Sequence, residues 1–150
     1  MKDICVDAGF LIGLYNVQDE FHDRATQYFL SMFDKENNCL VIPWPILYET
    51  VRTKTVRNRD AMLSLERDWK YLLMHKRLTL LSDVPFREDV VDECFSELRK
   101  PDRQRRNLSI VDRVIRRILS DRSVRIDVFI TFNPKDFADV CKTSQREMLS

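Results

Sequence analysis

The stretch Asp3-Ile4-Cys5-Val6-Asp7-Ala8-Gly9-Phe10-Leu11-Ile12-Gly13-Leu14-Tyr15 changes its apolar period halfway along. Ile4, Cys5 and Val6 make a short β-prone run with Asp3 and Asp7 at its two ends, whereas Phe10, Leu11, Leu14 and Tyr15 recur at helical spacing. A strand therefore runs into a helix, and Asp7 stands at the junction. An aspartate before a helix is commonly an N-cap. The same position is also one where ligands collect, because open α/β sheets bind them outside the carboxyl ends of their strands.

The rest of the chain repeats the alternation. Asp19 opens a helix running to about Lys35, with Phe21, Ala25, Tyr28, Phe29, Met32 and Phe33 as its apolar stripe. After an Asn37-Asn38 turn, Cys39–Ile42 reads as a strand ended by Pro43-Trp44-Pro45. Pro45 suits the first turn of the next helix, which carries Glu49 just past a strand exit, as Asp7 is. Helical patterns follow over Asp60–Leu73 and Phe86–Leu98, with a short strand, Leu78–Leu81, between them. A further helix begins at Asn107 or Ser109 and holds Asp112 among Ile110, Val111, Val114 and Ile115. Asp127–Thr131 is another strand, left through Phe132–Phe137, and Ala138–Ser150 adds a short helix or an edge element.

The 150 residues fit one domain, 1–150, and the 44% hydrophobic content is that of a folded globule. Gly9 and Gly13 are the only glycines, so there is neither a phosphate-cradling glycine loop nor a dinucleotide fingerprint. No apolar run is long enough to span a bilayer, and no secretory signal follows the charged start. Cys5, Cys39, Cys94 and Cys141 are widely spaced within apolar periodicity, which reads as thiols in a reducing cytoplasm rather than a zinc site or disulfide framework.

Net charge is +1, yet Arg99–Arg117 holds eight basic residues against Asp102 and Asp112. Such a patch suits an anionic partner, or simply a solvated surface. The candidate RNA contacts are Arg52, Lys54, Arg103, Arg105, Arg106, Arg113 and Arg116, with Arg57 and Arg59 extending the basic rim. Trp44 and Tyr48 read as buried or as a subunit contact rather than as base-stacking platforms. His22 has no Cys or His at ligating distance in sequence and reads as a structural hydrogen-bonder. Asp112 and Arg116 stand at pairing distance on one helix, so a surface ion pair competes with a carboxylate aimed into a metal site.

Taken together, Asp7, Glu49, Asp112 and the Asn133/Asp136 pair suggest several element ends converging on one place. Close carboxylates repel unless protonated or neutralised, and hard oxygen donors favour Mg²⁺ or Mn²⁺ over zinc. At these residues the sequence resembles the PIN domain nuclease family, through Ile4-Cys5-Val6-Asp7-Ala8-Gly9-Phe10-Leu11-Ile12, Glu49 in Ile46-Leu47-Tyr48-Glu49-Thr50, Ser109-Ile110-Val111-Asp112, and Ile130-Thr131-Phe132-Asn133-Pro134-Lys135-Asp136-Phe137.

That resemblance implies a three-layer α/β/α fold with a mainly parallel central sheet and a metal-dependent endoribonuclease site. Asp7, Glu49 and Asp112 match the family's principal acidic positions. Its last strand-exit position, often acidic, is Asn133 here, which can supply a neutral oxygen or orient a ligand water, with Asp136 close by either as a further metal ligand or as a cap of the following turn. Ser109 and Thr131 fall into supporting hydrogen-bonding roles. Size and layout are most similar to bacterial VapC-like toxins, which implies cytoplasmic RNA cleavage, a homodimer and restraint by a cognate antitoxin. Asn133 also motivates an alternative, an RNA-binding module of nuclease architecture with weak or no catalysis. A protein-interaction domain and a DNA nuclease are the others.

Overall fold

A computed structural model describes residues 1–150. At its centre lies β1, Asp3–Val6, paired in parallel on one side with β2, Cys39–Pro43, and on the other with β4, Val128–Ile130. The edges are β3, Leu78–Leu81, beside β2, and β5, Glu147–Leu149, beside β4. The order β3-β2-β1-β4-β5 is therefore wholly parallel. Ile4, Cys5 and Val6 are completely buried, as are Val128, Phe129 and Ile130. Their continuous apolar runs follow from burial on both faces, which an all-parallel sheet requires.

Helices flank this sheet in a three-layer α/β/α arrangement. One group comprises α1 (Ala8–Tyr15), α2 (His22–Phe29), α3 (Trp44–Thr50) and α5 (Arg59–Met74), with the short α4 (Thr53–Arg57) leading into α5. The other comprises α6 (Arg87–Leu98), α7 (Ile110–Ser120) and α8 (Ala138–Ser144). The helix-to-sheet alternation and the mainly parallel sheet agree with the sequence reading.

Local chemistry moves several boundaries. The Asp19 carboxylate accepts from Phe21 N–H at 2.9 Å, forming a turn ahead of α2 rather than capping it. After Phe29 the chain continues as a π-helical segment, Leu30–Lys35, which still buries Met32 and Phe33. Asn58 caps α5 through Ala61 N–H. Of the two expected starts for α7, Ser109 is the one used.

Two buried arginines bind backbone instead of acids. Arg77 donates to the carbonyls of Asn38 and Phe33, stitching the turn before β2 to the start of β3. Arg146 donates to the carbonyls of Leu119, Asp121, Val124 and Ile126, gathering the whole connection between α7 and β4. Near the sheet's carboxyl end, Phe21 stacks on Phe132 at 4.6 Å, and His22 Nδ1 donates to the Gly13 carbonyl at 2.8 Å. Those contacts hold α2 against α1 and the β4 exit, and give His22 the structural role expected of it.

Candidate functional site

Asp7 is the residue on which the site is built. Its backbone N–H donates to the Ile130 carbonyl at 3.0 Å, continuing the β1–β4 ladder by one residue, while its side chain turns to cap α1 through Ala8 N–H at 2.8 Å. The second carboxylate oxygen accepts from Thr131 Oγ1 at 2.9 Å. Thr131 is fully buried, and its hydroxyl also accepts from Asn133 N–H at 3.0 Å. The Asn133 side-chain amide then donates to the Asp136 carboxylate. Residues 124 positions apart are thereby joined across the exits of β1 and β4.

This junction has a topological cause. The chain steps from β1 to β2 on one side, and the later strands fill the other side, so the crevice between β1 and β4 is the sheet's switch point. Glu49, on α3 just beyond β2, lies at the same carboxyl edge, half-buried and without a hydrogen-bond partner of its own. Asp112 stands in the first turn of α7, in a capping box: Ser109 Oγ accepts from Asp112 N–H and the Asp112 carboxylate accepts from Ser109 N–H, both at 3.1 Å. Ser109 thus fixes the Asp112 side chain directly.

The acids sense one another. Burial pushes the Asp7 carboxyl above its ordinary value, and the nearby Asp112 and Asp136 charges push further, against the lowering effect of its Thr131 and Ala8 hydrogen bonds. Glu49 is raised by burial and then by Asp7 and Asp112, with Arg52 the counterweight. This donor set fits Mg²⁺ or Mn²⁺ in its chemistry, since every candidate ligand is a hard oxygen and a cation would relieve the repulsion. The set is open: no three His, Cys, Asp or Glu side chains are gathered closely enough to hold an ion as they stand.

The basic residues divide into free and engaged ones. Arg52, Lys54 and Arg103 are exposed and have no acidic partner. Arg105 pairs with Asp102 and donates to the Leu98 and Lys100 carbonyls, and Arg106 pairs with Asp139. Arg113 is only 7% exposed, facing Glu97 and the Arg106 carbonyl. Arg116 turns to Asp139 and the Asp136 carbonyl, so the surface pair with Asp112 suggested by helical spacing does not form. The +6 balance of this segment is a property of the sequence window, because Glu93, Glu97 and Asp139 supply the missing charge from outside it.

Asp139 escaped the sequence reading. Its spacing of three from Asp136 was visible, but nothing in the chain announces a bond to an arginine 23 residues away. Trp44 and Tyr48 are 36% and 66% exposed and lie 6.0 Å apart, so this chain does not bury them itself. Clefts of about 700 Å³, between α1, α2 and α5, and about 750 Å³, between α6 and α7, take in none of Asp7, Glu49 and Asp112. The acids line an open edge rather than an enclosed pocket.

No protein-family model matches the chain, and no curated protein matches it. Among solved structures it is similar to VapC20 of Mycobacterium tuberculosis, a Sarcin-Ricin loop cleaving toxin, with a TM-score of 0.60 and 18% identity over 91% of this chain and 94% of that one. No helix is long and apolar enough to cross a membrane. The chain therefore has the overall fold of that toxin, the PIN-like α/β/α arrangement around a parallel sheet.

Proposed function

We propose that the chain is an RNA-directed module of nuclease architecture that hydrolyses phosphodiester bonds at the carboxyl edge of its sheet, with Asp7, Glu49, Asp112 and Asp136 as the seat of Mg²⁺ or Mn²⁺. The observation that carries this reading is the hydrogen-bonded run Asp7–Thr131–Asn133–Asp136 across the β1/β4 switch point. A divalent ion bound there would neutralise phosphate charge and lower the pKa of a bound water.

The chain's own residues prepare the place. Thr131 and Ala8 N–H fix the Asp7 carboxylate, the capping box fixes Asp112, and the Asn133 amide orients Asp136. Glu49 stays half-buried and unpartnered, available to a ligand. Arg52, Lys54 and Arg103 are the exposed cations on which an RNA backbone would lie. The open edge suits a polymer, and the similarity to VapC20 makes an RNA carrying the Sarcin-Ricin loop the first substrate to test. A toxin role, with homodimerisation and a restraining antitoxin, belongs to the same proposal.

The open acidic set favours a second reading, an RNA-binding module of the same architecture with little or no turnover. Incubating the protein with Sarcin-Ricin loop RNA, single-stranded RNA and DNA, with Mg²⁺, Mn²⁺ or chelator, separates the two. Metal-dependent RNA cleavage lost in Asp7→Asn and Asp112→Asn supports the first. Binding without cleavage in either metal leaves the second. Neither binding nor cleavage sinks both, in favour of a protein-interaction domain.

A further inference from the structure

Arg116 lies one helical turn beyond Asp112, the spacing at which an aspartate and an arginine on a helix ordinarily pair. Here the arginine looks the other way. Its Nη1 and Nη2 donate to the two carboxylate oxygens of Asp139 on α8, at 2.7 and 2.8 Å, and Nη1 also donates to the Asp136 carbonyl at 2.6 Å. Arg106 adds a bond to Asp139 at 3.1 Å. Asp112 is left without an ion pair, its carboxylate held only by the Ser109 N–H.

A two-pronged arginine–carboxylate pair is geometrically demanding and stronger than a single contact, so Asp139 competes well for a guanidinium that could otherwise reach Asp112. The alternative pairing would place a fixed positive charge among Asp7, Glu49 and Asp112, satisfying the repulsion that makes this edge attractive to a cation.

We propose that Asp139 acts as a guard for the acidic site, holding Arg116 on the α8 side so that Asp112 stays unneutralised. The inference rests on reading Asp7, Glu49, Asp112 and Asp136 as a divalent-cation site. Asp139 is then a positioning residue, acting through Arg116 and touching neither ion nor substrate. The arrangement also explains why a cation can sit next to an acidic site in sequence without quenching it.

Calorimetric titration of the full chain with Mn²⁺ tests this in four proteins: the parent, Asp7→Asn, Asp139→Asn, and Asp139→Asn combined with Arg116→Met. Asp139→Asn should weaken Mn²⁺ about tenfold, the low end for an outer support of a metal site. Adding Arg116→Met should recover at least half of that loss on a logarithmic scale, because the freed guanidinium is gone. A merely structural α7–α8 tie gives the opposite order, with the double variant no better than the single.

Parent affinity lost in Asp7→Asn but unchanged in Asp139→Asn overturns the guard alone. No Mn²⁺ binding by the parent overturns the metal reading and the guard with it. A crystal structure of the Asp139→Asn variant gives an answer independent of metal: Arg116 turned onto Asp112 is expected, and Arg116 still directed at α8 or solvent overturns the proposal. Thermal melting of each variant confirms that the fold is intact.

Discussion

Asp7 commits both carboxylate oxygens to internal donors and still ionises reluctantly, because burial and the Asp112 and Asp136 charges outweigh those hydrogen bonds. The sign for stability follows. A carboxyl whose folded value is raised contributes favourably below the ordinary carboxylate range, and that contribution is lost as pH climbs through the raised value. Asp7 and Glu49 therefore weaken the metal-free fold at neutral pH. In chelator, the stability change caused by Asp7→Asn should be about 1 kcal/mol more favourable at pH 7 than at pH 4, because the amide removes the site charge at pH 7 while giving up one of the two acceptor oxygens at both. Urea denaturation at the two pH values checks it, and a variant equally destabilised at both contradicts the argument.

The thiols give a second residue-level expectation. Burial raises the Cys5 and Cys39 thiols, and pushes Cys141 up to about 11, whereas Cys94 on α6 is only half-buried. A thiol reagent at pH 8 should label Cys94 within minutes and the other three only on unfolding. Rapid labelling of two or more sites in the native protein would show that the core opens far more readily than its packing implies.

Among the elements, the connection between α7 and β4 depends on one side chain. Arg146 donates to four carbonyls, of which that of Asp121 also accepts from Val124 N–H at 3.1 Å, and it has no carboxylate partner. Arg146→Met should cost roughly 3 kcal/mol by leaving the Leu119, Val124 and Ile126 carbonyls without this donor, and Arg146→Lys most of that, since an ammonium cannot present the planar fork. Denaturant midpoints measure both, and a loss under 1 kcal/mol in either contradicts this role.

Elements were legible in the sequence to the extent that their causes were local. The Ile4–Val6 run, the proline pair at Pro43 and Pro45, and Ser109 before an apolar helix each declared themselves through backbone chemistry a few residues wide. The π-helical end of α2 did not, because it depends on how Met32 and Phe33 reach the core. Apolar period likewise identified α6 as a helix without saying what covers it: Val90 is buried, but Val91, Phe95 and Leu98 face outward. Of the site, the strand-exit acids were readable from position alone, whereas the partners of Arg113 and Arg116 arise from tertiary packing.

At the scale of the whole molecule, charge is distributed by folding rather than by sequence windows. Most cations between residues 99 and 117 are matched by acids on α6 and α8, whereas Arg52, Lys54, Arg57, Arg59, Arg99 and Arg103 are exposed and without an acidic partner. For single-stranded RNA, Arg52→Ala or Lys54→Ala should each lower the slope of log affinity against log salt by about 0.7. Arg113→Met should leave that slope unchanged while lowering stability. Fluorescence anisotropy across a salt series reads both, and equal slopes for all three variants would remove the proposed RNA path.

The bond from Thr131 to Asp7 spans 124 residues of chain, and the β1–β4 ladder beneath it spans as many. Contacts of such separation form late, after the entropy of closing a long loop has been overcome. During synthesis, the ribosome has to add 124 residues after Asp7 before that residue can meet its partner. A nascent chain consequently carries Asp7, Glu49 and Asp112 well before it has the assembled edge, which waits on β4 and Thr131.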